Sequence, residues 1–118
     1  MKKILIILSL ISHAYGCCAQ VVDDFDDDDY TNNPAWTPDD ANNWTVVNGQ
    51  LRSNSALAGS SFFITTPSSK ALNAQWDFYA RLSFNTSSAN FVDVYLVSEQ
   101  ADLLSSTNNG YFVRIGNI

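Results

Sequence analysis

The chain has 118 residues, of which 12 are acidic and six are basic, so that its formal net charge is −6 at pH 7. Nucleic acids and anionic membrane surfaces attract proteins that carry clusters of Lys and Arg. The few basic residues beyond the N-terminus of this chain are scattered, so the composition excludes nucleic-acid binding.

The N-terminus has the layout of a secretory signal peptide. Lys2 and Lys3 form a basic start, an apolar run follows at Ile4–Ile11, and small residues come next. This run is too short to span a bilayer, and no other segment is apolar enough to do so. The sequence predicts a signal peptide at 1–19, a mature domain at 20–118, and therefore a secreted or cell-surface protein with no transmembrane segment.

Two forms of processing are compatible with this N-terminus. Cys17 and Ala19 are small enough to precede a cut that leaves Gln20 as the first residue. The alternative is a lipoprotein signal, in which Cys17 becomes the acylated first residue and anchors the chain. Tyr15 and Ala14 fit the lipoprotein pattern poorly, so simple secretion is the favoured interpretation.

The predicted mature domain lacks the side chains of most hydrolytic sites. Both cysteines and the only histidine, His13, lie in the predicted signal peptide. Without them neither a Ser-His-Asp nor a Cys-His site can be built, and zinc sites normally use the same side chains. Glycoside hydrolysis needs only two carboxylates, but the lone glutamate, Glu99, has no acidic partner two or four residues away along a strand. The sequence predicts that the protein is not an enzyme.

The first clear structural signal in chain order is a β-hairpin at 44–52. Asn48-Gly49 supplies the two residues with positive φ that a type I′ turn requires, and β-branched residues precede it. The two-residue turn predicts that Val46 pairs with Leu51 and Val47 with Gln50.

Several further runs are rich in β-branched and aromatic residues. SFFITT at 61–66 is stopped by Pro67, and YFVRIGNI occupies 111–118. The run at 91–98 is apolar enough for burial on both faces except at Asp93. Each run predicts a short strand.

The stretch AQWDFYARLSF at 74–84 alternates between apolar and polar residues. As a strand, it would place Trp76, Phe78, Ala80 and Leu82 on one buried face. About seven short strands without a helical repeat indicate an all-β fold, an antiparallel β-sandwich.

The last predicted strand lies at the end of the sequence, at Ile118. A strand in that position would leave an unpaired edge, which folded proteins usually cover. We therefore expect the sandwich to be an incomplete first half, followed by further domains on its C-terminal side.

An ordered set of motifs in the chain resembles the N-terminal module of large secreted bacterial surface proteins. The motifs are an acidic D-D-F start (23–25), N-P-x-W (33–36), V-N-G-Q-L (47–51), W-x-F-x-x-x-L-x-F (76–84), V-Y-L-x-S-x-Q-A-x-L (94–103) and N-G-Y-F (109–112). The resemblance covers essentially the whole mature chain. It implies a concanavalin A-like (laminin G-like) jelly-roll sandwich of the kind that is often joined to lamin-tail or adhesion domains. A full module of this kind is longer, which agrees with the expectation of an incomplete chain.

Asp24 and Asp26 are the candidate metal ligands. Eight of the twelve acidic residues lie in the range 23–40, and calcium prefers carboxylate and carbonyl oxygens. In an extended segment Asp24, Asp26 and Asp28 would point to one side. An EF-hand is excluded, because Asp29 stands where that loop requires glycine. A solvated acidic rim is the alternative interpretation.

Trp36 and Tyr79 are the candidate carbohydrate-binding residues. Sugar sites stack apolar sugar faces on exposed aromatic rings and place amides and carboxylates at the hydroxyl groups. Trp36 lies in a polar loop, and Tyr79 lies on the polar face of the predicted strand at 74–84. Packing of either ring under a long loop is the alternative, since Trp is highly buried on average.

These features lead to a first hypothesis of a secreted, non-catalytic β-sandwich module that binds extracellular carbohydrate or another surface polymer. The alternatives are a structural or adhesion spacer without a small-molecule ligand, and a glycoside hydrolase fragment.

Overall fold

The computed structural model of the protein describes residues 21–116, and the predicted signal peptide at 1–19 lies outside this part of the chain. Within 21–116 the regular structure is almost entirely β, with six strands and one turn of 3₁₀ helix at Ala41–Asn43. The strands are β1 (Thr37–Pro38), β2 (Trp44–Val46), β3 (Leu51–Ser53), β4 (Ile64–Thr65), β5 (Phe91–Ser98) and β6 (Gly110–Gly116). They form three antiparallel two-stranded sheets, β1–β4, β2–β3 and β5–β6. The all-β class is thereby confirmed. None of the helical structure in the described range is long and apolar enough to cross a bilayer.

The predicted hairpin at 44–52 is confirmed in its turn and in its register. Asn48 and Gly49 have φ values of 53° and 65°. The Val47 amide donates to the Gln50 carbonyl at 3.0 Å, and β2 and β3 pair Val46 with Leu51. The turn residues therefore set the strand pairing, because a type I′ turn has the same twist as the strands that it joins.

Trp44 joins this hairpin to the β1–β4 pair. Its indole N–H donates to the Phe63 carbonyl at 3.1 Å, and its ring meets Phe62 edge-on at a centroid distance of 5.4 Å. The strand predicted at 61–66 is confirmed only over Ile64–Thr65. Its partner strand contains Pro38, which has no amide hydrogen to donate to a ladder, so the pairing stays short.

The strand predicted at 91–98 is confirmed at both ends as β5, and it pairs with β6. The prediction that Asp93 would be the exposed position of this strand is wrong. The Asp93 side chain is only 18% exposed, because Arg114 of β6 lies across it with two hydrogen bonds of 2.7 Å. The guanidinium also lies 4.0 Å from the centroid of the Phe91 ring. These hydrogen bonds, which Arg114 donates to the Asp93 carboxylate, raise the pKa of Arg114 above its ordinary value.

The strand predicted at 74–84 is not formed in the structure. Trp76 and Phe78, which the alternation assigned to a buried face, are 42% and 47% exposed. Alternation describes which side chains would share a face, but a strand also needs a neighbouring backbone to accept and donate its hydrogen bonds. No strand among the described residues pairs with 74–84.

The described residues contain no fully buried hydrophobic side chain. Apolar contacts are made within the three strand pairs and through the Trp44 bridge, and most strand residues are half-buried. A two-stranded hairpin is marginally stable in water unless further layers cover it. The jelly-roll sandwich therefore stays a prediction, and the apolar faces of the three sheets are where a second layer would pack.

Candidate functional site

The acidic stretch at 23–29 folds into a series of tight turns. Four carboxylates, those of Asp23, Asp24, Asp27 and Asp29, accept hydrogen bonds from backbone amides two residues ahead, at 2.7–3.2 Å. Phe25 and Asp28 both have φ of 57°, and the Asp28 amide donates to the Phe25 carbonyl. The segment is therefore not extended, and the one-sided alignment expected for Asp24, Asp26 and Asp28 is not formed. Aspartate favours such turns because its short side chain reaches its own backbone.

Asp29 is the most heavily bonded carboxylate of this stretch. It accepts from the Thr31 amide at 2.7 Å, from the Asn32 side-chain amide at 2.7 Å and from the Thr31 hydroxyl at 2.8 Å. These bonds, led by the one from the Thr31 amide, lower the pKa of Asp29 below the ordinary aspartate value. Asp29 thus stays charged to a more acidic pH than a free aspartate would.

Asp24 and Asp26 are both exposed, and the Asp26 amide donates to the Asp24 carboxylate at 3.2 Å. Across residues 21–116, no three acidic, histidine or cysteine side chains converge into a group that could hold a metal ion. The two predicted ligands are therefore neighbours on the surface, and the chain as described supplies no third carboxylate to them.

Trp36 packs against the beginning of the acidic stretch. Its indole N–H donates to the Asp23 carboxylate at 2.7 Å, and its ring lies 6.1 Å from that of Phe25. Its own amide donates to the Tyr30 carbonyl at 2.8 Å. The ring is half-buried. Its contacts with Asp23, Phe25 and Tyr30 hold the acidic turns in place.

Tyr79 is 84% exposed and lies in the unpaired stretch at 74–84. Within the described residues its ring makes no aromatic contact with Trp36. The two predicted carbohydrate-binding rings therefore do not contact each other, and a site that uses either of them stays a prediction.

A groove of about 520 Å³ lies at the loop end of the β5–β6 sheet. We call it the Tyr111 groove, and its lining consists of Ala71, Val97, Ser98, Glu99, Asn109, Gly110 and Tyr111. The Tyr111 ring is 76% exposed. Beside it, the Glu99 carboxylate accepts from the Asn109 side-chain amide at 3.0 Å. The groove thus combines an accessible aromatic ring, a carboxylate and an amide.

A β-bulge determines that the Tyr111 ring, the Glu99 carboxylate and the Asn109 amide lie next to one another. The register of β5 and β6 shifts between Tyr95 and Val97, so that Val97 pairs with Tyr111. The same register carries the Glu99 amide to the Asn109 carbonyl, at 2.9 Å. An unshifted ladder would pair Glu99 with Asn108 instead. Bulges re-aim side chains in this way at the ends of sheets.

The loop that connects β5 to β6 is held by side-chain hydrogen bonds. The Gln100 side-chain amide donates to the Thr107 carbonyl at 3.0 Å, and its backbone amide donates to the Asn108 side-chain oxygen at 3.2 Å. The Ser98 hydroxyl bonds the same Asn108 oxygen at 2.8 Å. The loop therefore has a defined shape without an apolar core of its own.

Sequence reasoning missed the Tyr111 groove. The sequence by itself indicates Glu99 only as a candidate catalytic carboxylate and Tyr111 only as part of a strand. The Asn109-Gly110-Tyr111 triplet was a usable signal, since a glycine before an aromatic residue permits close approach of a neighbouring backbone. The residues of β5 that face this triplet could not be predicted, because the pairing of the two strands depends on the bulge between Tyr95 and Val97.

Comparison of the chain with protein-family models, with curated proteins and with solved structures found no match.

Proposed function

We propose that this chain is a secreted, non-catalytic β-sandwich module that binds extracellular carbohydrate, or a similar hydroxyl-rich surface polymer, in the Tyr111 groove. The observation that carries the proposal is the exposed Tyr111 ring beside the Glu99–Asn109 pair. A pyranose ring has an apolar face that stacks on an aromatic ring and a rim of hydroxyls that need hydrogen-bond partners. Binding sites commonly combine an apolar surface with a few placed polar groups in this way.

The polar pair retains unused hydrogen-bonding capacity. Among the described residues, Glu99 Oε2 accepts from Asn109, and Glu99 Oε1 has no hydrogen-bond partner. The free oxygen can accept from a sugar hydroxyl, since an ionised carboxylate accepts at both oxygens. A carboxylate at this position also disfavours phosphate groups, which supports a neutral sugar over a nucleic acid.

The proposal is tested on a glycan array with the purified chain. We expect Tyr111→Ala to weaken binding about tenfold or more, as truncation of a central aromatic anchor does, and Tyr111→Phe to retain it. Circular dichroism of each variant checks that the fold is intact. Trp36→Ala and Tyr79→Ala probe the two sites predicted from the sequence.

If no glycan binds to the folded chain, the proposal fails and the structural or adhesion spacer becomes the better explanation. If Tyr79→Ala or Trp36→Ala abolishes binding while Tyr111→Ala does not, the sugar lies elsewhere and the Tyr111 groove is excluded.

We also propose that calcium binds weakly at Asp24 and Asp26. Six acidic residues within the seven positions 23–29 repel one another, and a divalent cation would relieve that repulsion. A ligand of the native state raises the melting temperature by mass action. We expect a higher melting temperature with calcium than with a chelator, and a smaller difference in the Asp24→Asn/Asp26→Asn double variant. Equal melting temperatures with calcium and chelator would exclude the site.

A further inference from the structure

The stretch at 74–84 has the sequence of a strand and no backbone partner. Within residues 21–116 it forms no backbone hydrogen bond with any other segment. Trp76, Phe78 and Tyr79 are 42%, 47% and 84% exposed. A row of free amides and carbonyls flanked by exposed aromatic rings is a template for pairing with another chain.

The polar side chains at the beginning of this stretch lie on one side of the backbone. The Gln75 side-chain amide donates to the Asp77 carboxylate at 2.8 Å, which places these two side chains on the same side of the backbone. This agrees with the alternation, in which Gln75, Asp77, Tyr79 and Arg81 form one face. Arg81 is exposed, and within the described part of the chain it has no ion-pair partner.

The order of charges along 74–84 is self-complementary. Asp77 lies two residues before Tyr79, and Arg81 lies two residues after it. In an antiparallel pair centred on Tyr79, each Asp77 therefore faces the Arg81 of the other copy. On the opposite face the large Trp76 and Phe78 meet the smaller Leu82 and Ala80. Opposite charges that face each other across two strands stabilise the ladder, and the facing apolar side chains bury each other.

We propose that residues 74–84 pair antiparallel with the same residues of a second copy of this chain, so that the protein is a two-fold symmetric dimer. The two-fold axis passes beside Tyr79. A parallel pairing in register is disfavoured, because it would place Asp77 opposite Asp77 and Arg81 opposite Arg81. A slip of one residue would move the aromatic rings to the charged face. The interface does not involve the Tyr111 groove, so the dimer can be confirmed or excluded independently of carbohydrate binding.

The test uses charge reversal and sedimentation velocity over a concentration series of the purified chain. Asp77→Arg places two arginines opposite each other at both contacts, and Arg81→Asp places two aspartates there. We expect each single variant to self-associate about tenfold more weakly than the unchanged chain, or not at all, because like charges across a ladder repel. Asp39→Arg and Arg52→Asp reverse exposed charges outside the stretch and should leave the dimer unchanged.

The mixture of the two single variants gives the sharpest result. One copy then carries two arginines and the other two aspartates, so both contacts become attractive, and an equimolar mixture should dimerise more tightly than either variant does alone. Circular dichroism confirms that each variant is folded before mixing. A mixture that stays monomeric, a single variant that dimerises as the unchanged chain does, or an unchanged chain that is monomeric throughout the series would each overturn the proposal.

Discussion

Gly110→Ala is expected to open the loop end of the β5–β6 sheet and to lower the free energy of unfolding by about 1–3 kcal/mol, the usual range for overpacking. A Cβ at this position would overlap the Val97 carbonyl oxygen, and it would lie 3.1 Å from the Ser98 Cα and 3.3 Å from the Tyr95 ring. The nearest two atoms belong to the backbone of β5, so no side-chain rotation relieves the overlap. The strands must separate at that point instead.

Urea denaturation measures the loss, and hydrogen exchange at the Tyr111 and Glu99 amides locates it. Gly59→Ala is the matched control, because Gly59 has φ of 71° but no atom within 4 Å of an added Cβ. The control should cost about 1–2 kcal/mol, from the left-handed backbone conformation alone, and should leave β5 and β6 unaffected. The explanation is wrong if exchange at β5 and β6 is unchanged in Gly110→Ala. Because Gly110 lines the Tyr111 groove, the same variant should also lose glycan binding.

Asp23→Ala is expected to destabilise the acidic turns by about 1.5–3 kcal/mol, which is typical of lost hydrogen bonds to a charged group. Its carboxylate accepts from the Phe25 amide at 2.9 Å and from the Trp36 indole at 2.7 Å. Removal of the Asp23 carboxylate leaves two half-buried donors, the Phe25 amide and the Trp36 indole, without their acceptor. It also breaks the contact through which Trp36 holds the acidic turns in place. Relief of repulsion among the neighbouring aspartates offsets part of the cost, so the net value should fall towards the lower end of this range.

Asp24→Ala is the control for this prediction, since Asp24 is exposed and accepts only a longer bond of 3.2 Å from the Asp26 amide. It should change the free energy of unfolding by less than about 0.5 kcal/mol. The indole N–H resonance of Trp36 should shift in Asp23→Ala and stay in place in Asp24→Ala. Equal effects of the two substitutions would show that the charge, and not the Trp36 contact, matters.

Turns could be predicted from the sequence where their conformation depends on only a few neighbouring residues. Asn48-Gly49 identified the first hairpin with its register, because both turn residues adopt the positive φ that their types tolerate. The bounds of β5 were also readable, since a continuous β-rich run lies between two polar loops. The Asp turns at 23–29 were readable in principle, because aspartate bonds its own backbone, but an extended segment was expected there.

By itself, then, the sequence determined the β class of the chain, its first hairpin and the position of β5, all of which depend on residues close together in the chain. Only the tertiary structure decided that 74–84 lies unpaired, that Trp36 is held by Asp23, and that Glu99 and Asn109 meet beside Tyr111. Each of these depends on which distant part of the chain a segment meets, and for Glu99 and Asn109 the bulge between Tyr95 and Val97 moves that pairing by one residue. A strand pattern specifies a face, whereas the partner of the strand is specified by the rest of the fold.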